Sequence, residues 1–293
     1  MNVLSLFDGI SCGQIALHRI NADVNLYYAS EIDRDAIKVT SKNFPNTIFL
    51  GDINDWQSWN IDWQKIDLLI GGSPCQGFSL AGKQLNFLDD RSKLFFKYLD
   101  ILNYLKLKNP NVKFMLENVR MKKEYEDIIS NLLNVQPVKI NSRLVSAQDR
   151  KRIYWANFLI QQPNDRNIGI SSIICDNNFV GAMRGRRVID GKRVDYDKSV
   201  PFKQYIECRK DNKSNCLTTV TKDNVIVNKK GKFYLASENK DNYRYLFAEE
   251  CEALQTVPIG YTDVGISKSS RVKLLGNAWT VDVIAHILSV IKS

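Results

Sequence analysis

The sequence has few of the residues that build metal sites and disulfide frameworks. Only two histidines are present, and the six cysteines are widely scattered, with no pair spaced as C-x-x-C. This pattern disfavours a zinc site and a disulfide-stabilised fold, so we expect no metal. We also find no apolar stretch that approaches the ~20 residues of a membrane helix. A soluble, cytoplasmic protein with no membrane contact is therefore expected.

Acidic residues are in the minority, and the positive excess is concentrated in one region. The chain has 41 Lys and Arg against 32 Asp and Glu, a net charge of +9. Residues 158–245 hold 17 basic and 10 acidic residues, whereas the remainder holds 24 and 22. Such a region is either a polyanion-binding surface or an ordinary solvated basic face.

The first 157 residues alternate between strand-like and helix-like patterns. This alternation predicts βαβ units and a largely parallel, doubly wound α/β sheet of Rossmann type. After Asn157 the chain has short strand-like runs rich in Asn, Asp, Gly and Lys, and helical periodicity returns near residue 246. We therefore predict one domain formed by residues 1–157 and 246–293, interrupted by a small, irregular, β-rich domain at 158–245.

Acidic residues end successive predicted strands at one edge of this sheet. The first strand ends in Phe7-Asp8-Gly9, Glu31 follows the second strand, and Asp52 follows the third. Each residue alone is as well explained by an ordinary turn. Because the carboxyl ends of parallel strands meet in one crevice, the three together predict an adenosine site, with Glu31 at the ribose and Asp52 at the adenine. The turn is not G-x-G-x-x-G, which argues against a dinucleotide.

A cysteine follows the fourth predicted strand in a turn rich in glycine and proline. Cys75 lies in Gly71-Gly72-Ser73-Pro74-Cys75, where it gains little from packing, so we interpret it as a nucleophile rather than a structural cysteine. Glu117 follows the fifth strand. Gln148, Arg150 and Arg152 alternate along a further strand and are expected to share one face. A thiol, a carboxyl and paired guanidiniums suit an electron-poor heterocycle.

These elements in this order resemble the cytosine-5 DNA methyltransferases of bacteria and phages over nearly the whole chain. The set comprises Phe7-Asp8-Gly9, Gly72-Ser73-Pro74-Cys75-Gln76, Glu117-Asn118-Val119, Gln148-x-Arg150-x-Arg152 and Gly276-Asn277-Ala278. Near Trp279 the sequence is also similar to the animal de novo DNA methyltransferases. Trp279 departs from the small aliphatic residue of the bacterial family, and it either lines the cofactor pocket or only packs.

The resemblance implies S-adenosylmethionine as cofactor and double-stranded DNA as substrate, with 158–245 as target-recognition domain. It also implies the cytoplasm of a prokaryotic or phage-infected cell as the location. It implies that Cys75 adds to carbon 6 of a flipped cytosine, Glu117 contacts N3 and the exocyclic amine, and Arg150 and Arg152 hold O2 and the nearby site. Cofactor residues on this basis are Phe7, Asp8, Gly9, Ile10, Ser11, Gly13, Glu31, Ile32, Asp52, Ile53, Pro74, Leu94, Asn277, Ala278 and Trp279. DNA contacts are Gln76, Ser79, Gln148, Arg184, Arg186, Arg187, Thr218 and Thr219, and the arginines read guanine edges or hold phosphates.

Three other functions compete with this interpretation. A transfer-RNA cytosine methyltransferase of the same fold usually carries a Cys-Phe-Thr tripeptide, which is absent here. A non-catalytic DNA-binding relative would lack Cys75 or Glu117, and both are present. An adenosine-binding oxidoreductase is disfavoured by the missing dinucleotide turn. We expect a monomer, with a cognate restriction endonuclease as a possible genetic partner.

Overall fold

The computed structural model describes residues 1–73, 93–174, 178–228, 233–238 and 240–291. The helices are α1 Cys12–Arg19, α2 Arg34–Asn43, α3 Lys93–Lys108, α4 Lys123–Leu133, α5 Ala248–Leu254, α6 Lys268–Asn277 and α7 Val281–Leu288. The strands of the larger sheet are β1 Asn2–Leu6, β2 Leu26–Ser30, β3 Ile48–Phe49, β4 Leu68–Gly72, β5 Lys113–Val119, β6 Val138–Asn141 and β7 Lys151–Ala156.

The larger sheet is a doubly wound α/β sheet, as the sequence predicted. Its strand order is β3-β2-β1-β4-β5-β7-β6, and the first five strands are parallel. Strand β7 runs antiparallel to both β5 and β6. The order reverses at β1, which lies between β2 and β4, and ligands of such sheets bind at the carboxyl ends of the strands near this reversal.

Apolar layers cover both faces of the larger sheet. Side chains alternate across each strand, so Val3 of β1 packs in one hydrophobic cluster while Leu4 and Leu6 pack in the other. The first cluster contains apolar residues of α1, α2 and α7, and α1 packs directly against α7. The second contains those of α3 and α4. The strand ends are therefore held on a rigid, fully covered sheet.

A second, antiparallel sheet forms within the region of basic excess. Its members and the adjoining hairpin are β8 Phe179–Arg186, β9 Val188–Ile189, β10 Lys192–Arg193, β11 Lys203–Cys208, β12 Val225–Val227, β13 Phe233–Leu235 and β14 Tyr243–Tyr245. The sheet order is β13-β11-β8-β12-β14, and β9 pairs separately with β10. Asp190 and Gly191 form the tip of that hairpin with positive φ angles of 47° and 72°, as in a two-residue hairpin turn. A small cluster that includes Met183, Ile206 and Val225 supports this sheet.

One apolar segment is longer than the sequence interpretation allowed. Within the described ranges, Lys268–Ile291 is long and apolar enough to cross a membrane, with a mean hydropathy of 1.6 over an 18-residue window. The structure divides it into α6 and α7, because residues 278–280 are not helical. Residues such as Ile284 and Leu288 of α7 are fully buried in the first cluster. The segment therefore forms core helices that cover the larger sheet.

Candidate active site

The turn between β1 and α1 is held in an unusual backbone conformation. Phe7, Gly9 and Ser11 have φ angles of 57°, 59° and 60°. Positive φ is unfavourable for residues with a side chain, and such positions cluster where a chain approaches a ligand. The Asp8 amide donates to Ser30 O of β2 at 3.2 Å, and Tyr261 OH donates to Ile10 O at 2.8 Å. The turn is therefore fixed from both sides.

Glu31 joins this turn to the end of β2. Its Oε2 accepts from the Gly9 amide at 2.7 Å, and its Oε1 accepts from the amides of Ile32 and Asp33 at 2.7 and 2.8 Å. A carboxylate offers about four lone-pair positions, so about one is left for another donor. The Glu31 carboxylate is thus pre-organised at the crevice.

Asp8 is a buried acid with an unused oxygen. Its Oδ1 accepts from Ser5 Oγ at 2.6 Å and from Tyr27 OH at 2.8 Å. Its Oδ2 is shielded from solvent and accepts no hydrogen bond in the described part of the chain. Burial, partly offset by these hydroxyl donors, raises the pKa of Asp8 from 3.8 to about 6. The Asp8 carboxyl is therefore mostly protonated below about pH 6 and ionised above it.

A carboxylate, a guanidinium and an indole meet beside the end of β5. Glu117 is buried, and its Oε1 lies 2.9 Å from Arg152 Nε. Its Oε2 accepts from Trp279 Nε1 at 3.2 Å. Glu117 and Arg152 are diagonal partners on the antiparallel strands β5 and β7, where Glu117 is opposite Tyr154 and Val119 is opposite Arg152. The ion pair is therefore a product of strand register.

The end of β4 lies next to this group. Asn118 Nδ2 donates to Ser73 Oγ at 3.1 Å, which ties the last described residue after β4 to the neighbour of Glu117. Four of the predicted site residues follow Ser73 in sequence and lie outside the described residues: Pro74, Cys75, Gln76 and Ser79. Their predicted roles remain predictions.

Arg150 makes different contacts from those the sequence indicated. Its guanidinium donates to three backbone carbonyls, those of Leu217 at 2.8 Å, Ala278 at 2.9 Å and Gly276 at 3.3 Å. Burial, and then the charge of Arg152, lower the pKa of Arg150, so these acceptors offset the loss of water. Arg150 ties the segment around Leu217 to the loop after α6, and Arg152 is the arginine that contacts Glu117.

The expected strand does not extend back to Gln148 and Arg150. Strand β7 begins at Lys151, and Gln148 instead forms an isolated bridge with Ser214. Gln148 is fully buried, and its amide bonds to Leu254 O, Gln255 Oε1 and the Leu217 amide. A side chain with no exposed surface and a fully used amide makes no DNA contact in this arrangement.

A cavity of about 370 Å³ collects most of the described residues that were predicted for catalysis and cofactor binding. From the predicted cofactor set, its lining includes Phe7, Asp8, Gly9, Ile10, Glu31, Asn277, Ala278 and Trp279. From the predicted catalytic set, it includes Glu117, Arg150 and Arg152. A volume of this size suits a small-molecule ligand or cofactor. One crevice therefore joins the carboxylates Asp8 and Glu31 to the Glu117–Arg152 pair.

The remaining predicted cofactor residues are not in the described lining. Ser11 is the fully buried residue before α1, and Gly13 lies in α1 against Ile70 and Tyr27. Ile32 is 68% exposed, whereas Ile53 is buried. Leu94 packs at the edge of the second hydrophobic cluster. Asp52 Oδ1 accepts from the Asn54 amide at 2.9 Å, as the cap of a short 3-10 helix.

Two of the predicted DNA contacts, Arg184 and Arg186 of β8, are held by ion pairs. Arg184 pairs with Asp223, which also accepts from Thr218 Oγ1 at 2.6 Å. Arg186 pairs with Glu207, with 2.6 Å between Nε and Oε1. The Arg187 guanidinium lies 5.4 Å from the ring centre of Phe202. Thr219 is exposed. Arg184, Arg186 and Thr218 are therefore held by partners within the described structure.

Sequence reasoning missed residues that hold or border the site. Gln255 Nε2 donates to Leu275 O at 2.7 Å and Ala278 O at 3.1 Å, which fixes the loop containing Trp279. Cys216 Sγ lies 3.3 Å from Arg150 Nη1 and 3.8 Å from Arg152 Nη2. Cys12 also lines the cavity, but burial raises the pKa of its thiol to about 12, so it is not a nucleophile. No local pattern marks these residues, because their partners are distant in sequence.

Comparison with known sequences covers the entire chain. A family model described as C-5 cytosine-specific DNA methylase matches residues 1–179 and 139–293. The type II methyltransferase M1.ScrFI of Lactococcus lactis subsp. cremoris is 29% identical, over 97% of this chain and 76% of its own length. The orphan methyltransferase M.Rho11sI of Bacillus phage rho11s is 36% identical, over 53% and 32%. The type II methyltransferase M.NlaX of Neisseria lactamica is 33% identical, over 54% and 52%.

Solved structures share the fold over nearly the whole chain. The methyltransferase EhMeth of Entamoeba histolytica superposes with a TM-score of 0.70 at 18% identity, covering 98% of this chain and 96% of its own. A prophage-encoded DNA modification methyltransferase from E. coli gives 0.63 at 16% identity, covering 99% and 98%. With two matched segments that together span residues 1–293, this chain belongs to the C-5 cytosine-specific DNA methylase family.

Proposed function

We propose that this protein transfers a methyl group from S-adenosylmethionine to carbon 5 of a flipped cytosine in a short duplex DNA sequence, through a covalent bond between Cys75 and carbon 6. The observation that supports it most is the shared crevice. Asp8 and Glu31 line one part of the cavity, and the Glu117–Arg152 pair lines another. Ser73, which precedes Pro74-Cys75, is part of the same lining.

The residues present fit S-adenosylmethionine. Asp8 Oδ2 is buried without a donor, and Glu31 retains about one lone-pair position for a hydroxyl. Both acids complement a ligand that carries positive charge and ribose hydroxyls. Phe7, Asn277 and Trp279 complete the wall of this part of the cavity. When bound, S-adenosylmethionine supplies a methyl group on a positively charged sulfur.

Cys75 is the proposed nucleophile because carbon 5 of cytosine is not reactive enough by itself. Its thiolate adds to carbon 6, and the electron pair of the C5–C6 double bond moves toward carbon 5 and the ring. Positive charge favours the thiolate form of a cysteine, and Arg152 lines the same cavity as Ser73, which is two positions before Cys75 in sequence. Once carbon 5 carries the methyl group, loss of its proton restores the double bond and expels the Cys75 thiolate.

Glu117 and Arg152 are proposed to hold the base during this cycle. Glu117 accepts a hydrogen bond from the exocyclic amine and shares a proton with N3. Arg152 faces O2, where negative charge develops. Both side chains are buried or nearly so, which strengthens their electrostatic effect. Arg150 supports them by donating to Leu217 O and Ala278 O, which ties the segment around Leu217 to the loop that contains Trp279.

The target-recognition role is proposed for residues 158–245. A cytosine inside a duplex is inaccessible, so it must be flipped out at a cost of a few kcal/mol. Strand β8 carries Arg184 and Arg186, and Arg187 follows its last residue, all within the region of basic excess. Phosphate contacts from such residues offset this cost and orient the duplex.

Radiolabel transfer tests the proposed function directly. Purified protein, duplex DNA and methyl-labelled S-adenosylmethionine are expected to give labelled DNA whose digestion yields 5-methylcytosine. Cys75→Ala is expected to lose transfer while it still binds the cofactor in calorimetry. Cys208→Ala, a half-buried cysteine of β11, is the matched control and should keep activity.

A parallel reaction with transfer RNA separates the rival enzyme of the same fold. Label in transfer RNA but not in DNA would identify transfer RNA, rather than DNA, as the substrate. Transfer by Cys75→Ala at the wild-type rate would refute the covalent route. A companion restriction endonuclease gene beside the gene for this protein would assign it to a restriction-modification pair, and an isolated gene would assign it to the orphan enzymes.

A further inference from the structure

We propose that Trp279 is a positioning residue for Glu117, in addition to its proposed contact with the cofactor. This role rests on the proposed function, because it assigns Glu117 to the flipped base. The indole Nε1 donates to Glu117 Oε2 at 3.2 Å, and the Arg152 guanidinium lies against the other oxygen at 2.9 Å. Trp279 and Arg152 therefore each contact one oxygen of the Glu117 carboxylate.

The backbone leaves room for this contact at one glycine. Gly72 is opposite Glu117 in the register between β4 and β5. A Cβ atom at residue 72 would lie 2.8 Å from Trp279 Nε1 and 3.1 Å from Glu117 Oε2. Any side chain here would push the indole from the carboxylate, so the last residue of β4 is compatible with the hydrogen bond only as glycine.

The backbone around Trp279 is anchored on both sides of the indole. Ala278 O accepts from Arg150 Nη2 at 2.9 Å and from Gln255 Nε2 at 3.1 Å. Thr280 Oγ1 donates to Gln255 Oε1 at 2.8 Å. Because its neighbours are fixed by buried hydrogen bonds, the indole has a defined position, and it transmits that position to Glu117.

The indole N–H is suited to this task chemically. It is a donor only and has no proton to exchange in the reaction, so it orients a carboxylate without competing as an acid or base. It uses one lone pair of Oε2 and leaves the other for the base. Trp279 also lines the cavity near the proposed cofactor residues, so its ring connects the cofactor part to the base part.

If Trp279 only formed part of the wall of the cofactor pocket, a different result would be expected. A wall acts through ring area alone, so a ring of equal size without the N–H would preserve turnover. A positioning residue acts through the hydrogen bond, so loss of the N–H lowers kcat while cofactor affinity persists. The two roles separate in the split between kcat and cofactor binding.

The experiment replaces Trp279 with 3-benzothienylalanine, in which sulfur takes the place of the indole N–H, and separately makes Trp279→Phe. We expect both to lower kcat about tenfold or more, the effect of losing one hydrogen bond to a charged group, at saturating DNA and cofactor. The 3-benzothienylalanine variant should bind S-adenosylmethionine in calorimetry with the wild-type affinity. Wild-type kcat in that variant would overturn the proposal.

Trp155→Phe is the matched control. Trp155 Nε1 donates to Ser130 Oγ at 2.9 Å in the second hydrophobic cluster, away from the cavity. This variant loses a buried indole hydrogen bond and is expected to lower thermal stability while it keeps the kcat of the folded enzyme. If the wild-type enzyme itself makes no 5-methylcytosine, the proposed function fails; if it does and the isostere matches it, only the role of Trp279 fails.

Discussion

Glu117 Oε1 and Arg152 Nε lie 2.9 Å apart because β5 and β7 are antiparallel and place these residues diagonally on one face. The other strands next to this crevice are parallel. The strand pairing thus changes from parallel to antiparallel at β5, where the Glu117 carboxylate contacts the Arg152 guanidinium. This pair, with Ser73 and Trp279 beside it, is the part of the site on which the proposed chemistry depends.

Arg152→Lys and Arg150→Lys should fail in different ways. Lysine keeps the charge but loses the planar fork. Arg152→Lys is expected to lower kcat tenfold or more, about 1.4 kcal/mol, with little change in stability. Arg150→Lys should reduce the free energy of unfolding by about 2–3 kcal/mol, because buried carbonyls of Gly276 and Ala278 lose donors. Urea unfolding and steady-state kinetics separate the two; equal effects on stability would contradict this assignment.

The pKa of Asp8 predicts a dependence of stability on pH. The group ionises at 3.8 when unfolded and at about 6 when folded. The folded state therefore favours the protonated acid, and its stabilising contribution, fully present below pH 3.8, is lost as pH rises through about 6. The difference corresponds to about 3 kcal/mol. Asp8→Asn should flatten this part of the curve in urea unfolding between pH 4 and pH 7; an unchanged curve would refute it.

Arg187 should contribute more to DNA affinity than Arg186. Arg186 is neutralised by Glu207, whereas no carboxylate among the described residues pairs with Arg187. Arg187→Gln is expected to weaken binding and to reduce the slope of log affinity against log salt by about one. Arg186→Gln is the control and should change the slope less. Fluorescence anisotropy with a labelled duplex measures both, and identical slopes would count against a phosphate contact by Arg187.

Gly276 should couple the segment around Thr218 to the loop that contains Trp279. A Cβ atom at this residue would lie 2.5 Å from Thr218 O, which is backbone and cannot move alone. Gly276→Ala is expected to destabilise the fold by about 1–3 kcal/mol and to weaken DNA binding. Thr219→Ala, which removes an exposed side chain without moving the backbone, is the control for stability. A Gly276→Ala protein with wild-type stability would show that this contact is not tight.

Local pattern was sufficient for the elements that begin the fold. Apolar strands followed by polar strand ends predicted β1, β2, β4 and β5, and placed Glu31 and Glu117 at the crevice. Helix α6 was missed because its buried apolar residues, Leu274 and Leu275, are confined to its last turns. The apolar character of residues 268–291 was also missed. In the structure, only residues 278–280 interrupt the helical geometry of this segment.

Long-range contacts explain the errors in the site. The pattern of alternation was extended from β7 back to Gln148, but the strand begins only at Lys151. Gln148 and Arg150 take partners from Leu217 and from the loop after α6, more than sixty residues away. The contact of Trp279 with Glu117 could not be predicted from sequence for the same reason, because the two residues are 162 positions apart.

Bisulfite sequencing of DNA from a host without cytosine methylation of its own, after expression of this protein, tests the central claim most directly. The wild-type protein should protect cytosines in one short sequence context, and Cys75→Ala should protect none. Cys216→Ala, which removes the other thiol beside the arginines, should still leave protected cytosines. Protection by Cys75→Ala equal to the wild type, or no protected cytosine with the folded wild-type protein, would contradict the account.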